Sequence, residues 1–177
     1  MVLARTLLTV EDLLAMPDGR RCELVRGELV ESMPVNEEHG DIVVNIARLL
    51  GGPVIDAGLG KVRTETGVIL SREPATVFGP DVSVTLATDP STRRFSERPP
   101  DIVFEVVSPS DRPTSVQGRL ADYLEAGVSM AVAVWPGRRA LTVGTSNGEW
   151  IELTAEDTLD LTALVPDLTI PVSAIFR

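Results

Sequence analysis

Pro100-Asp101-Ile102-Val103-Phe104-Glu105-Val106-Val107-Ser108-Pro109-Ser110-Asp111 is the stretch whose reading decides the fold. Apolar residues run from Ile102 to Val107 and are broken once, by Glu105. Bounded by Pro99-Pro100 and Ser108-Pro109, the run predicts a strand buried on both faces. A carboxylate inside such a strand costs several kcal/mol unless a cation, a metal or hydrogen-bond donors compensate it. Upstream, Pro80-Asp81-Val82-Ser83-Val84-Thr85 sets a second acid at the start of a second strand. Two acids on neighbouring strands make a site for a hard divalent cation, which prefers oxygen ligands. The alternatives stay open: Asp81 as a plain strand start, and Glu105 in a structural ion pair with an arginine.

The 177 residues suffice for one domain with a real core, so a single domain spanning 1–177 is expected. With 44% hydrophobic and 24% charged residues the chain reads as a soluble globular fold. No apolar run approaches the ~20 residues of a membrane span, and the first residues do not resemble a signal peptide. Cys22 is the only cysteine, which rules out an intrachain disulfide and fits a reducing cytoplasm. The net charge of −10 counts against tight, non-specific binding to phosphate backbones. The basic residues gather only in small knots, Arg20-Arg21, Arg93-Arg94 and Arg138-Arg139.

Outward from the central strand, Thr9-Val10-Glu11-Asp12 predicts a capped helix stopped by Pro17-Asp18-Gly19. Cys22 to Ser32 predicts a hairpin about Arg26-Gly27. Asn36 caps a helix running to Leu50, with Gly51-Gly52-Pro53 as its end. Alternation from Val62 to Leu70 predicts one strand, Val82 to Leu86 another, and the polar 87–99 stretch a loop. A helix follows near Ser115–Ala126, then a strand at Met130–Trp135. A C-terminal hairpin comes next, from Ala140–Thr145 and Glu149–Leu153, and then a tail of short apolar pieces. The sum is an α/β (α+β) fold with a mixed sheet flanked by helices.

Arg119 borders the apolar stripe of Val116, Leu120, Tyr123 and Leu124, so it either reaches across the packed interface to the acids or snorkels to the surface. His39 is the only histidine, which excludes a multi-histidine zinc site and leaves a choice between an exposed helix-start residue and a functional one. Neither a Gly-x-Ser-x-Gly elbow nor a glycine-rich phosphate loop occurs.

At these residues the chain resembles the Uma-type endonuclease family, of restriction-endonuclease-like fold and PD-(D/E)xK ancestry. The resemblance covers nearly the whole chain: Leu13-Leu14-Ala15-Met16-Pro17, Cys22 to Val30, His39 before the long helix, Pro80-Asp81-Val82, Pro100 to Ser110, and Leu120 to Val128. It implies metal-dependent phosphodiester hydrolysis, with Mg²⁺ (or Mn²⁺) held by Asp81, Glu105 and the main-chain carbonyl of Val106. It also implies nucleic acid as the partner, DNA ahead of RNA, with a homodimer as the candidate assembly and no membrane. The lysine position of the motif is Val107, and in the family the lysine moves to the following helix, where this chain has Arg119. Arginine stabilises charge but cannot act as a general base. Asp81, Glu105, Arg119 and His39 are therefore the expected catalytic set, with Glu38 an alternative auxiliary to His39. The family often has acids where this chain has Ser115 and Trp135. The rival reading is a degenerate nuclease fold kept as a binding or assembly module.

Overall fold

The computed structural model describes residues 7–16, 22–31, 34–87 and 90–177. In chain order its elements begin α1 (Val10–Leu14), β1 (Cys22–Val25), β2 (Glu28–Glu31) and α2 (Glu37–Leu50). Then come β3 (Lys61–Thr64), β4 (Val68–Arg72), β5 (Ala75–Phe78), β6 (Val82–Thr85), β7 (Ile102–Val106) and α3 (Pro113–Glu125). The chain closes with β8 (Met130–Trp135), β9 (Ala140–Thr145), β10 (Trp150–Leu153), β11 (Thr158–Asp160), β12 (Thr169–Pro171) and α4 (Val172–Ile175). Among the described residues no helix is long and apolar enough to cross a membrane.

The main sheet has six strands in the order β10-β9-β8-β7-β6-β3. Only β7 and β8 run parallel, with Phe104 opposite Val132 and Glu105 opposite Ala133. A parallel pair needs a crossover, and α3 supplies it. Side chains along β7 alternate. Ile102, Phe104 and Val106 enter the core built with α2 and the C-terminal segment, through Ile42, Ile46, Leu161 and Ile170. Val103 and Val107 pack on the other face against Val116, Leu120 and Tyr123 of α3. Glu105 shares the parity of Val103 and Val107, so it points under α3.

A second sheet, β2-β1-β5-β4, is antiparallel throughout. With α1 it encloses a small core of Val10, Leu13, Leu24, Ala75 and Val77. Its hairpin turns at Arg26 and Gly27, with φ of 50° and 83°, the paired positive values of a type I′ turn that suit twisted strands. The Thr9–Asp12 capping box forms as expected, with the Thr9 N–H and hydroxyl donating to Asp12 and the Asp12 N–H donating back to Thr9 Oγ1. The expected stop at Pro17-Asp18-Gly19, the Arg20-Arg21 knot and the Ser32 end of the hairpin lie outside the described residues.

Two expectations are corrected, and two features were not foreseen. The alternating run from Val62 to Leu70 is two strands in different sheets, because Glu65 adopts φ 49° and turns the chain out of β3 toward β4. Gly67 allows the corner to close: a Cβ there would sit 2.4 Å from the Phe95 ring. Gly51-Gly52-Pro53 ends the α-helical winding at Leu50 as expected, and the chain goes on through a wider π-helical turn, Gly51–Asp56, that buries Val54 completely. That wider winding accommodates a proline that an α-turn would clash with. β5 was not expected at all; it is only four residues, Ala75-Thr76-Val77-Phe78, buried throughout and flanked by Pro74 and Gly79-Pro80, without the alternation that marks a half-buried strand. The 140–153 hairpin forms but is not terminal, for β11, β12 and α4 close over the α2 face.

The approach of β3 to β6 yields a test. A Cβ on Gly60 would lie 2.2 Å from the Thr85 carbonyl oxygen and 2.9 Å from Leu86 Cα, both backbone. Gly60→Ala is expected to cost about 2 kcal/mol, because the strands must part to admit it. Urea unfolding measures this; an unchanged midpoint would mean that the two strands are less tightly apposed than described.

Candidate active site

β6 lies antiparallel beside β7, Val82 opposite Phe104 and Val84 opposite Ile102. That register carries Asp81, immediately before β6, alongside the Glu105–Val106 peptide. Asp81 Oδ2 accepts from the Val106 N–H at 2.7 Å, and Asp81 Oδ1 lies 3.0 Å from His39 Nε2. The Asn36 side chain holds the start of α2 by accepting from the His39 N–H at 2.9 Å, which sets the ring over Asp81. His39 is 7% exposed, and its other ring nitrogen, Nδ1, is buried without a hydrogen-bond partner among the described residues.

Glu105 meets α3. Its Oε1 accepts from the Tyr123 hydroxyl at 2.6 Å and from Arg119 Nε at 2.8 Å, while Oε2 has no hydrogen-bond partner among the described residues. Val116, Arg119, Leu120 and Tyr123 share one helix face because they recur at three- and four-residue spacing. The Arg119 Nη groups then donate to Glu23 at 2.7 and 2.6 Å. Glu23 comes from β1, in the other sheet, and also accepts the Gly79 N–H at 2.6 Å. The guanidinium lies 4.2 Å from the centre of the Phe78 ring, and the Phe78 and Tyr123 rings meet edge to face at 5.4 Å. Arg119 is thus a bridge between two carboxylates on two sheets, and not a snorkelling surface arginine.

Burial dominates the Glu105 carboxyl and pushes its pKa up to about 7; Asp81 adds to the rise, while Arg119 and the Tyr123 hydrogen bond oppose it. The His39 pKa is raised, first by its hydrogen bond to Asp81, against an opposing effect of burial, with help from Glu105 and Glu65. Burial alone would lower the Arg119 pKa, but Glu105, Tyr123 and Glu23 outweigh it, so the guanidinium stays charged. Burial and the neighbouring Glu105 push the Tyr123 phenol well above its usual value, so it remains a donor.

Asp81, Glu105, Arg119 and His39 all line one cleft of about 950 Å³, together with Glu23 and Ser115. The structure therefore brings the four expected residues together. Glu38 is exposed at the rim of an adjoining cavity, away from the acids. Among the described residues no three His, Cys, Asp or Glu side chains converge as a metal-binding group. The available oxygen donors are the two carboxylates and the backbone. Sequence reasoning missed Glu23 and the polar role of Tyr123. The signal for Glu23 was its strand parity, opposite to core-facing Leu24; the signal for Tyr123 was its place one helical turn beyond Arg119.

A mixed sheet whose adjacent strands deliver two acids to a cleft beneath a crossover helix is the arrangement of restriction-endonuclease-like proteins. Residues 10–173 match the Uma2 family, described as "Putative restriction endonuclease", and the chain belongs to that family. No curated protein matches it in sequence. In structure it is similar to a "putative nuclease belonging to DUF820" from Anabaena variabilis, with a TM-score of 0.82 and 16% identity, covering 96% of this chain and 97% of that one. At that identity the likeness shows a shared fold.

Two tests follow from the geometry. Arg119→Lys and Arg119→Ala should both destabilise, the alanine by about 3 kcal/mol, because an ammonium cannot satisfy Glu23 and Glu105 together and a methyl satisfies neither. Retention of wild-type stability by Arg119→Lys would remove the bridge from the account. The second test is pH. Glu105 binds its proton more tightly when folded, with a pKa of about 7 against 4.5, so its contribution is full below the unfolded value and lost as pH rises through about 7. His39, also raised, loses its contribution in the same direction as pH climbs past its folded value. Asp12, Asp157 and Asp160 are lowered, and their effect falls below the ordinary carboxylate range. Metal-free protein should thus lose stability between about pH 5 and 8. Glu105→Gln should flatten the slope, and a flat wild-type profile in chelator would contradict it.

Proposed function

We propose that the protein is a divalent-metal-dependent phosphodiester hydrolase acting on nucleic acid. The observation that carries the reading is that Glu105, an acid in mid-strand, faces the same cleft as Asp81 and keeps one carboxylate oxygen free of hydrogen bonds. The donor set fits a hard cation: Asp81 and Glu105 supply carboxylate oxygens, and the acidic residues lining the cleft outnumber its two arginines, Arg26 and Arg119. Asp81, Glu105 and the Val106 carbonyl would hold the ion. When bound, such an ion supplies Lewis-acid polarisation of the phosphoryl group.

The chain's own residues do the rest. The Val106 N–H and the His39 ring orient Asp81. Three of the five Arg119 donors are engaged by Glu105 and Glu23, which leaves one hydrogen on each Nη to meet negative charge on the phosphoryl oxygens. Arg119 cannot take a proton; His39 Nε2, against Asp81, and Glu105 in the absence of an ion are the groups in the cleft suited to hold one near neutrality. Magnesium or manganese, DNA ahead of RNA, a cytoplasmic setting and a homodimer belong to the same proposal. A second reading, a nuclease fold retained as a binding module, is favoured by the engagement of Arg119 by two carboxylates and by the net charge of −10.

Supercoiled plasmid and single-stranded RNA, incubated with Mg²⁺ or Mn²⁺, separate the readings. Wild type is expected to cleave one of them. Asp81→Ala and Glu105→Gln should each lose on the order of 10²–10³ in rate, as for removal of other charge-stabilising groups. Mn²⁺ calorimetry should show heat for wild type and none for Asp81→Ala. Binding without cleavage would transfer the conclusion to the module; neither binding nor cleavage would end the hydrolase reading.

A further inference from the structure

Beside the acid-bearing cleft lies a second cavity of about 350 Å³ that the proposed hydrolysis leaves unused. His39, Val107, Ser108 and Asp111 line both spaces, so the His39 ring stands between them, with its Nε2 3.0 Å from Asp81. Trp135 and Arg138 form another wall, the guanidinium carbon 4.5 Å from the centre of the indole. The indole is pinned, since its Nε1–H donates to Thr142 Oγ1 at 2.8 Å. Three polar groups on the lining have no hydrogen-bond partner among the described residues: the Glu38 carboxylate, the Asn36 amide nitrogen and the Ser108 hydroxyl. Asp111 spends one oxygen on the Ser108 N–H at 2.8 Å and keeps the other.

A pinned aromatic ring, a planar cation and a rim of hydrogen-bonding groups are the surroundings in which proteins stack and read unpaired bases. A phosphate does not suit the space, because Glu38 and Asp111 repel it. The wall shared through His39, Val107, Ser108 and Asp111 makes this cavity continuous with the acid-bearing cleft. We propose that this cavity holds the base of a nucleotide next to the scissile phosphate and prefers adenine and cytosine to thymine and uracil. The preference comes from Glu38, whose carboxylate accepts from an exocyclic amine and meets a carbonyl oxygen unfavourably. Asn36 donates to the adjacent ring nitrogen. The base must leave its stack to enter, so single strands or extruded nucleotides are the form recognised. The inference rests on the nuclease reading for the neighbouring phosphate.

The test uses the full chain carrying Trp150→Phe, so that Trp135 is the only tryptophan of the two. Short fluorescein-labelled single strands of deoxycytidine or of thymidine are added with Ca²⁺, and both Trp135 emission and label anisotropy are followed. Expected are saturable quenching of Trp135 and tighter binding of the cytidine strand, on the order of tenfold. Glu38→Gln, at an exposed position, should erase that preference with folding intact by circular dichroism. Trp135→Leu should weaken both strands on the order of tenfold. Strands that bind in an Asp81-dependent way, with Trp135 emission unmoved and Glu38→Gln without effect, would overturn the base pocket and leave the hydrolase reading standing. Quenching by deoxycytidine monophosphate that depends on Glu38, with no strand bound or cut, would keep the pocket and remove the hydrolase. Absence of quenching by strand and mononucleotide alike overturns the pocket.

Discussion

Arg119 joins the two sheets. Its guanidinium bonds Glu105 of the main sheet and Glu23 of the small one, and it lies on the Phe78 ring from the small sheet's β5. The side chains of all three charged residues are 23% exposed or less, so the interaction is far from bulk water and its loss leaves uncompensated charge. The placement of α3, the approach of the sheets and the shape of the cleft all depend on this one cation. Tyr123 completes the arrangement by donating to the same Glu105 oxygen that Arg119 holds, so one carboxylate oxygen takes both donors.

The cleft inherits its chemistry from that constraint. Glu105 lies in an apolar strand and is nonetheless hydrogen-bonded twice, whereas Asp81 is positioned by a backbone N–H and a histidine. Two acids therefore sit in unlike surroundings: one is pushed toward neutrality by burial and the other is fixed by donors. Unlike surroundings are what allow neighbouring carboxylates to take different roles. The negative net charge of the chain, which speaks against broad phosphate binding, is compatible with the proposed binding of a cation in the cleft.

Much of this was legible in the sequence, and the limits have physical causes. Glu105 announced itself because a charge interrupts an otherwise unbroken apolar strand, and Asp81 because a proline precedes it at a strand start. Helical spacing left Arg119 either beside the acids or at the surface, and the family resemblance named it for the site. Its partner Glu23 was not foreseen: Glu23 and Arg119 are 96 residues apart, and nothing local in a hairpin strand says which helix will cross it. The same holds for the corner at Glu65. The alternation of apolar residues continues straight through it, and only the positive φ and the ring of Phe95 against Gly67 reveal that the chain changes sheets. The π-helical turn after α2 was hidden because glycine and proline end most helices, and here the burial of Val54 outweighs that tendency.

The long span between Glu23 and Arg119 also bears on the order of events in folding. The capping box of α1 closes over three residues and the β1–β2 hairpin over a two-residue turn, so both form early and cheaply. The Glu23–Arg119 bonds require both sheets and the crossover helix to be in place first, since closing so long a loop must be offset by contacts already made. The cleft is therefore completed among the last contacts of the chain and parted among the first. Its residues govern how fast the native state opens far more than how fast it is reached.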